Sequence, residues 1–216
     1  MAKTVTAAEM KERERAANEA GLLYIQMMEN AGRAAYAELK RRVPALRRLL
    51  IVAGKGNNGG DGFVMARVAA KEGVQVRVLL AEGEPKTADA KTNLARLAET
   101  AAEIVRGTEQ AAFGADAVVD ALYGTGFHGE LRPGGAAACA LMGRERERGA
   151  FVLALDLPSG VCADSGEVAE GAVQADATVT FDCTKPLHFA KASKPLCGAL
   201  VCADIGIGKA LGEHET

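Results

Sequence analysis

The chain has 216 residues, 49% of them hydrophobic and 25% charged, with a net charge of −2. That length supports one α/β domain whose core needs no disulfide staples, and the charge balance gives no pull toward nucleic acid or an anionic membrane. No run of 18 apolar residues occurs and the N-terminus is charged (Lys3, Glu9, Lys11, Glu12), so neither a membrane span nor a leader is expected and the predicted location is the cytoplasm.

Thr6, with Glu9 three residues on, predicts a capping box opening a first helix that runs to about Asn18 and breaks at Gly21. A second helix is predicted from Leu23 to about Arg42, because Ile25, Met28, Ala31, Ala35 and Leu39 recur at helical spacing before Pro44 stops it. The basic cluster Lys40, Arg41, Arg42, Arg47 and Arg48 reads as that helix's C-terminus, where cations complement the dipole, plus a solvated loop. Strands are expected near 48–53, 75–80, 103–105, 116–120, 151–155, 177–181 and 198–202, with helices near 60–72, 87–100, 108–113 and 136–147. Short Val/Ile/Leu/Ala runs alternating with helical stretches indicate a parallel sheet covered on both faces. The expected fold is therefore a three-layer α/β/α Rossmann-like sandwich with a mainly parallel sheet and two N-terminal helices, one domain over 1–216.

Five cysteines are present without C-x-x-C spacing. Cys139 and Cys202 sit in apolar runs as small buried hydrophobes, and Cys162 is expected to line a site sterically. His128, His188 and His214 are scattered, so a zinc site is not expected.

Residues 51–67, IVAGKGNNGGDGFVMAR, hold the densest functional signal. A buried-strand run empties into Gly54, Gly56, Gly59, Gly60 and Gly62, and a helix follows. Such junctions bring bare backbone N–H groups and a helix N-terminus against an anionic ligand. Gly54, Gly56 and Gly59 spell the G-x-G-x-x-G dinucleotide fingerprint, for which Glu82 and Glu84 are the nearest acidic ribose partners. A Walker-type loop is excluded because no Gly-Lys-Ser/Thr follows. Asn57, Asn58 and Asp61 add oxygen ligands that a plain phosphate cradle does not need, whereas a turn serving only helix packing would leave them without a purpose. Two further loops share this address: Gly124-Thr125-Gly126 follows a strand ending at Asp120, and Asp156-Leu157-Pro158-Ser159-Gly160 follows one ending near Leu155. Open parallel sheets bind ligands at these carboxyl ends. Asp120 and Asp156 read either as ordinary strand-end caps or as members of one shared site, the second being favoured by their Gly-rich neighbours.

GKGNNGGDG resembles the signature loop of the YjeF N-terminal domain family, the NAD(P)H-hydrate epimerases. Met28-Glu29-Asn30-Ala31-Gly32 resembles the family's M-E-N-A-G segment, and Asp120 to Gly126 its D-A-[LI]-[FLY]-G-T-G segment. Asp156 to Gly160 resembles D-[IL]-P-S-G, Asp164-Ser165-Gly166 stands where D-T-G is usual, and Thr178–Lys185 and Ala203–Gly206 complete an ordered series. The resemblance implies an isomerase that interconverts the C6 epimers of hydrated NADH and NADPH. It implies Asp156 as the catalytic group, a single carboxyl donating and accepting a proton with its pKa raised toward neutrality by burial. It places the substrate on Asn57, Asn58, Gly59, Gly60 and Asp61, on Asp156, and on a second loop of Gly124, Thr125, Gly126, Phe127, His128, Gly129 and Glu130. It also implies a potassium ion on Asn58, Asp120 and Ser159, with a backbone carbonyl near Val161 as a further ligand.

Asn30 is expected to reach the site from the second helix, or else to pack that helix. Lys185 stands where the family often has Lys-x-Gly-Leu, but Lys-Pro-Leu-His follows here, which puts a role for it in doubt. A homodimer is implied, for which the Ala/Met-rich 23–39 helix offers an apolar face, as is a functional partner in an ADP- or ATP-dependent NAD(P)H-hydrate dehydratase. Nothing after Ile207 resembles that enzyme, leaving a stand-alone epimerase and the first half of a longer chain both open. A non-catalytic scaffold of the same fold would be marked by loss of Asn57-Asn58 or of Asp156, and all three are present. A hydride-transfer oxidoreductase would need a substrate domain that is not recognisable here.

Overall fold

The computed structural model describes residues 3–213, so His214 lies outside the described residues. Two helices come first, α1 (Ala7–Glu19) and α2 (Tyr24–Arg42), then β1 (Arg48–Ala53), α3 (Asn57–Lys71), β2 (Gln75–Leu80), α4 (Ala88–Leu97) and β3 (Glu103–Val105). The chain continues through α5 (Thr108–Ala111), β4 (Ala117–Ala121), α6 (Pro133–Glu147), β5 (Phe151–Leu155), β6 (Ala177–Phe181), β7 (Ala199–Ala203) and α7 (Ile207–Ala210), with 3-10 turns at Pro186–His188 and Lys194–Leu196. The strands form one sheet in the order β3-β2-β1-β4-β5-β6-β7, and every pairing is parallel. The α/β/α sandwich expected from the sequence is present.

Side chains alternate across the sheet, as the period of two requires. Leu49, Ile51 and Ala53 of β1 point into a core shared with α2 and α3, while Leu50 and Val52 point into the opposite core with Leu141 and Met142 of α6. Both faces are thereby covered. The order of the sheet reverses between β1 and β4, and the crevice at such a switch point is where open α/β sheets hold ligands. The loops after β1 and β4 meet there.

The helix expected near 60–72 starts earlier, at Asn57. Glycine is a poor helix former in isolation, yet here close packing selects it. The M-E-N-A-G segment explains part of that packing. A Cβ on Gly32 would stand 2.7 Å from the backbone oxygen of Asp61, so its absence lets α2 lie directly on α3. Glu29 pairs with Arg67 of α3, and the Asn93 amide of α4 meets Met28 Sδ at 3.1 Å.

Two expectations about α2 need correction. Met27, Met28, Ala31, Ala35 and Leu39 are buried inside the fold, so the apolar face suggested for a dimer is already covered, and only Leu23 and Tyr24 at its start stand out as exposed. Asn30 does not line the site. Its amide donates to the Ile205 carbonyl at 2.8 Å and its oxygen accepts from Gln26, which makes it a helix-packing residue.

Helix α1 opens with the predicted capping box, Thr6 N donating to Glu9 Oε2 at 2.7 Å and Glu9 N to Thr6 Oγ1 at 3.2 Å. It is fastened to the far end of the sheet. Val5 N donates to Thr184 O and Thr184 N to Lys3 O, each at 2.9 Å, and Arg13 bridges Asp182 and Glu213.

Candidate active site at the carboxyl end of the sheet

The β1 and β4 ends touch at Gly54, where a Cβ would lie 1.8 Å from the Leu122 carbonyl oxygen. Gly59 and Gly60 back onto Gly54 and Met28 in the same manner. Their lack of a Cβ lets α3 seat closely on its neighbours. Asn57, Asn58 and Asp61, from the first turns of α3, do line a deep cavity of about 150 Å³, together with Gly124, Thr125 and Asp156. A wider cleft of about 490 Å³ continues from it across Gly56, Asn57, Tyr123 and Gly126 to Phe127, His128 and Glu130. Gly129 faces a third hollow, beside Cys162. The predicted second loop is thus shared among four spaces, with Gly124 and Thr125 in the deep one and Thr125 and Gly126 also in a hollow beside α1.

Asp156 is set by its backbone as much as by its side chain. Its φ of +64° is left-handed and uncommon for a non-glycine residue, and it turns the carboxylate off the end of β5 into the cavity. Oδ1 accepts from Lys185 Nζ at 2.5 Å and from Thr180 Oγ1 at 2.9 Å. The Lys185 side chain is 1% exposed and that of Asp156 14%. Burial pushes the Asp156 pKa up, but the charge and hydrogen bond of Lys185, with the bond from Thr180, outweigh it and hold the carboxyl below its usual range. The pKa shift expected for Asp156 is thus opposite in direction to the one found, and Lys185 lines the same cavity. The Pro186–His188 turn that departs from the familiar motif is what places the lysine: Lys185 N donates to His188 Nδ1 at 2.9 Å, and His188 Nε2 lies 3.0 Å from Asp156 O. Burial lowers the His188 pKa, so the ring is neutral. With Nδ1 accepting, Nε2 carries the hydrogen and donates to that carbonyl.

Asp61 has the opposite electrostatics. Burial, then the charges of Asp156 and Glu14, push its pKa well above the usual carboxylate range, with only Lys185 opposing. One cavity therefore holds two carboxyls whose pKa values are pushed in opposite directions. Such divergence separates proton donor from electrostatic partner in many active sites. Glu14 of α1, which lines the same cavity, was missed from the sequence. Its only local signal is a position on the first helix, outside every motif.

Asp120 and Ser159 are bonded to each other, and Asn58 connects to them through Tyr123. Asp120, fully buried, accepts from Ser159 N at 2.7 Å, Ser159 Oγ at 2.6 Å and Leu122 N at 3.2 Å. Burial raises its pKa to about 6 against those three bonds. Ser159 Oγ also accepts from Tyr123 N at 2.9 Å. The Asn58 amino group donates to the carbonyls of Tyr123 and Leu155 at 2.8 and 3.2 Å, while its Oδ1 is buried with no hydrogen-bond partner among the described residues. An oxygen donor set of this kind, with one buried amide oxygen left over, is of the type that suits a hard, weakly hydrated cation.

Around the rim, Glu82 accepts from the Tyr123 hydroxyl at 2.8 Å and faces the wide cleft, whereas Glu84 pairs with Arg106. Cys162 Sγ lies 3.5 Å from His128 Nδ1. Cys139 is buried as expected, Cys202 is only partly so, and all five cysteines are free. No helix among the described residues is long and apolar enough to cross a membrane.

The chain is 40% identical to a Pirellula staleyi protein named NAD(P)H-hydrate epimerase, with 90% of this chain aligned to 88% of that one. It is 37% identical to a Coxiella burnetii bifunctional NAD(P)H-hydrate repair enzyme Nnr, aligned over 93% of this chain but spanning only 41% of the relative. A crystal structure of yeast ynu0 superposes with a TM-score of 0.76 at 20% identity, covering 94% of this chain and 88% of that chain, which speaks for the fold alone. The model of the family described as YjeF-related protein N-terminus matches residues 24–187, and with the full-length relative it establishes that the chain belongs to that family.

Proposed function

We propose that this chain, as one YjeF N-terminal-type domain, is an NAD(P)H-hydrate epimerase, an isomerase that interconverts the R and S C6 epimers of hydrated NADH and NADPH. The observation that carries the chemistry is the pair of carboxyls in one cavity, Asp61 pushed up and Asp156 held down. The hydrated ring enters the deep cavity, and the rest of the dinucleotide follows the cleft over Gly56, Gly126 and Phe127. Asp61, neutral, donates its proton to the C6 hydroxyl as the C6–O bond breaks and the ring-nitrogen lone pair forms the C6=N bond. The carboxylate of Asp156, fixed by Lys185 and Thr180, lies against the cationic ring and stabilises it. Water then adds to C6, the π pair returns to nitrogen, and a carboxylate takes up the proton. The role implied for Asp156 by resemblance passes to Asp61 in this scheme.

A potassium ion would be held by Asn58 Oδ1, Asp120 and Ser159 with the neighbouring carbonyls, supplying a positive charge that ties three loops together. A homodimer, a cytoplasmic location and an NAD(P)H-hydrate dehydratase as functional partner complete the proposal. The bifunctional repair enzymes among the relatives support the last of these.

The activity is tested by supplying mixed hydrate epimers and an epimer-specific dehydratase. Complete consumption is expected with this protein present, and a halt at one epimer in its presence would end the proposal. For the ion, melting in potassium chloride should exceed melting in sodium or choline chloride, and Asn58→Ala should abolish the difference. Equal melting in all three salts would remove potassium from the scheme.

A further inference from the structure

We propose that Glu14 is a second acid–base residue of the site, so that the hydrated ring has a proton-exchanging carboxyl on each of two flanks. The inference rests on the epimerase reading and deepens it. Epimerisation removes a hydroxyl from one face of C6 and returns water to the other, so proton exchange is needed on both faces. A cavity of about 150 Å³ is the size that takes one benzene-sized ring. A ring held there has little room to turn over between the two half-reactions.

Besides the ion-paired Asp156, three carboxyls line this cavity, Asp61, Glu14 and, from the first turn of α4, Asp89; Asp61 and Glu14 arrive from different sides. Asp61 rides on α3, which packs over the β2–β1–β4 side of the sheet. Glu14 rides on α1, which is pinned to the β6–β7 side through Thr184, Asp182 and Glu213. Asp156 stands at the end of β5 between those flanks. Glu14 is half-buried, and burial followed by the charge of Asp156 raises its pKa, with Lys185 and Lys11 opposing and Asp182 adding. Its partial exposure lets it recharge from solvent.

On one face the protonated carboxyl gives its proton to the departing oxygen, the C–O pair leaves with that oxygen as water, and the nitrogen lone pair closes the C=N bond. On the other face water oxygen bonds to C6, the π pair returns to nitrogen, and the water proton goes to the second carboxylate. One proton has then passed from one carboxyl to the other, and exchange with solvent restores both.

Purified epimers incubated in ¹⁸O-water report each face separately. Wild type should show both inversion and label at C6 from either epimer. Glu14→Gln should lower inversion by roughly 10²–10⁴-fold, the usual weight of an acid–base group, while one epimer still exchanges its hydroxyl through Asp61 and the other does not. Glu14→Asp should recover part of the inversion. The exchange-to-inversion ratio does not depend on how much protein is folded, so it remains readable if a variant melts early. Wild-type inversion in Glu14→Gln, or equal loss of exchange and inversion in both epimers, would overturn the assignment. Absence of inversion in the wild type would overturn the epimerase reading beneath it.

Discussion

Replacing Lys185 with Met isolates the ion pair at the heart of the site. The lysine side chain is 1% exposed and its ammonium is bonded to Asp156 Oδ1, Thr180 Oγ1 and, at 3.5 Å, the Phe181 carbonyl. Methionine keeps the length and apolar stem but strands a carboxylate that is itself only 14% exposed. Removing one partner of a buried pair costs about 3–5 kcal/mol, whereas neutralising both is often close to neutral. At roughly 2–4 °C per kcal/mol for a domain of this size, Lys185→Met should melt about 6–20 °C early. Asp156→Asn combined with Lys185→Met should regain most of that loss while remaining inactive. Urea titration of wild type, both single variants and the double variant gives the coupling directly. A Lys185→Met loss under about 1 kcal/mol, or a double variant no better than the sum of the singles, would show that Asp156 does not depend on Lys185 for its charge.

Asp61→Asn should cut epimerisation by about 10²–10⁴-fold without unfolding the protein. Because its folded pKa is raised, wild-type Asp61 contributes stability below about pH 3.9, its unfolded value, and that contribution is lost as pH rises through the folded value. Asp61→Asn should therefore melt above wild type on the alkaline side of that folded pKa, and identical melting curves there would refute the assignment. Wild-type activity should fall with rising pH through the same raised pKa, and on the acid side inversion should fall as Glu14, whose pKa is also raised, takes up a proton. Gly54→Ala places a Cβ 1.8 Å from a backbone oxygen, whereas at Gly56 a Cβ meets nothing within 4 Å. The first should lose about 1–3 kcal/mol or more and the second stay within about 0.5 kcal/mol of wild type by thermal melting. Equal losses would contradict the close approach of β1 and β4.

The strands were readable because β1, β4 and β5 are buried on both faces and must be continuous apolar runs. The loops were readable because Gly54 and the Asn57-Asn58 pair have few other uses. What escaped had no pattern to betray it. Gly59, Gly60 and Gly62 oppose helix formation by propensity, and the neighbours that make α3 start at Asn57 are far away in sequence. Lys185 was discounted because the residues after it break a familiar motif, yet His188, three residues on, does the placing. Glu14 needs the packing of α1 against the opposite end of the chain before it meets Asp61. The Asp156 pKa turns on a partner 29 residues away, and an aspartate's sequence neighbours do not disclose whether a cation sits beside it.

The attachment of α1 to Thr184 has a consequence for how the enzyme comes into being. The Thr4–Thr184 contact joins residues 180 positions apart, and loops of that span are entropically the slowest to close. During synthesis, β1, β2 and β4 can pair and the glycine loop can form while the wall carrying Glu14 has nothing to hold it. Lys185 and Ile205, which complete the cavity, are still unmade at that stage. A nascent chain therefore passes through a long period as a parallel sheet without chemistry, and catalytic competence arrives in one late step, when the first helix and the loop after β6 find each other.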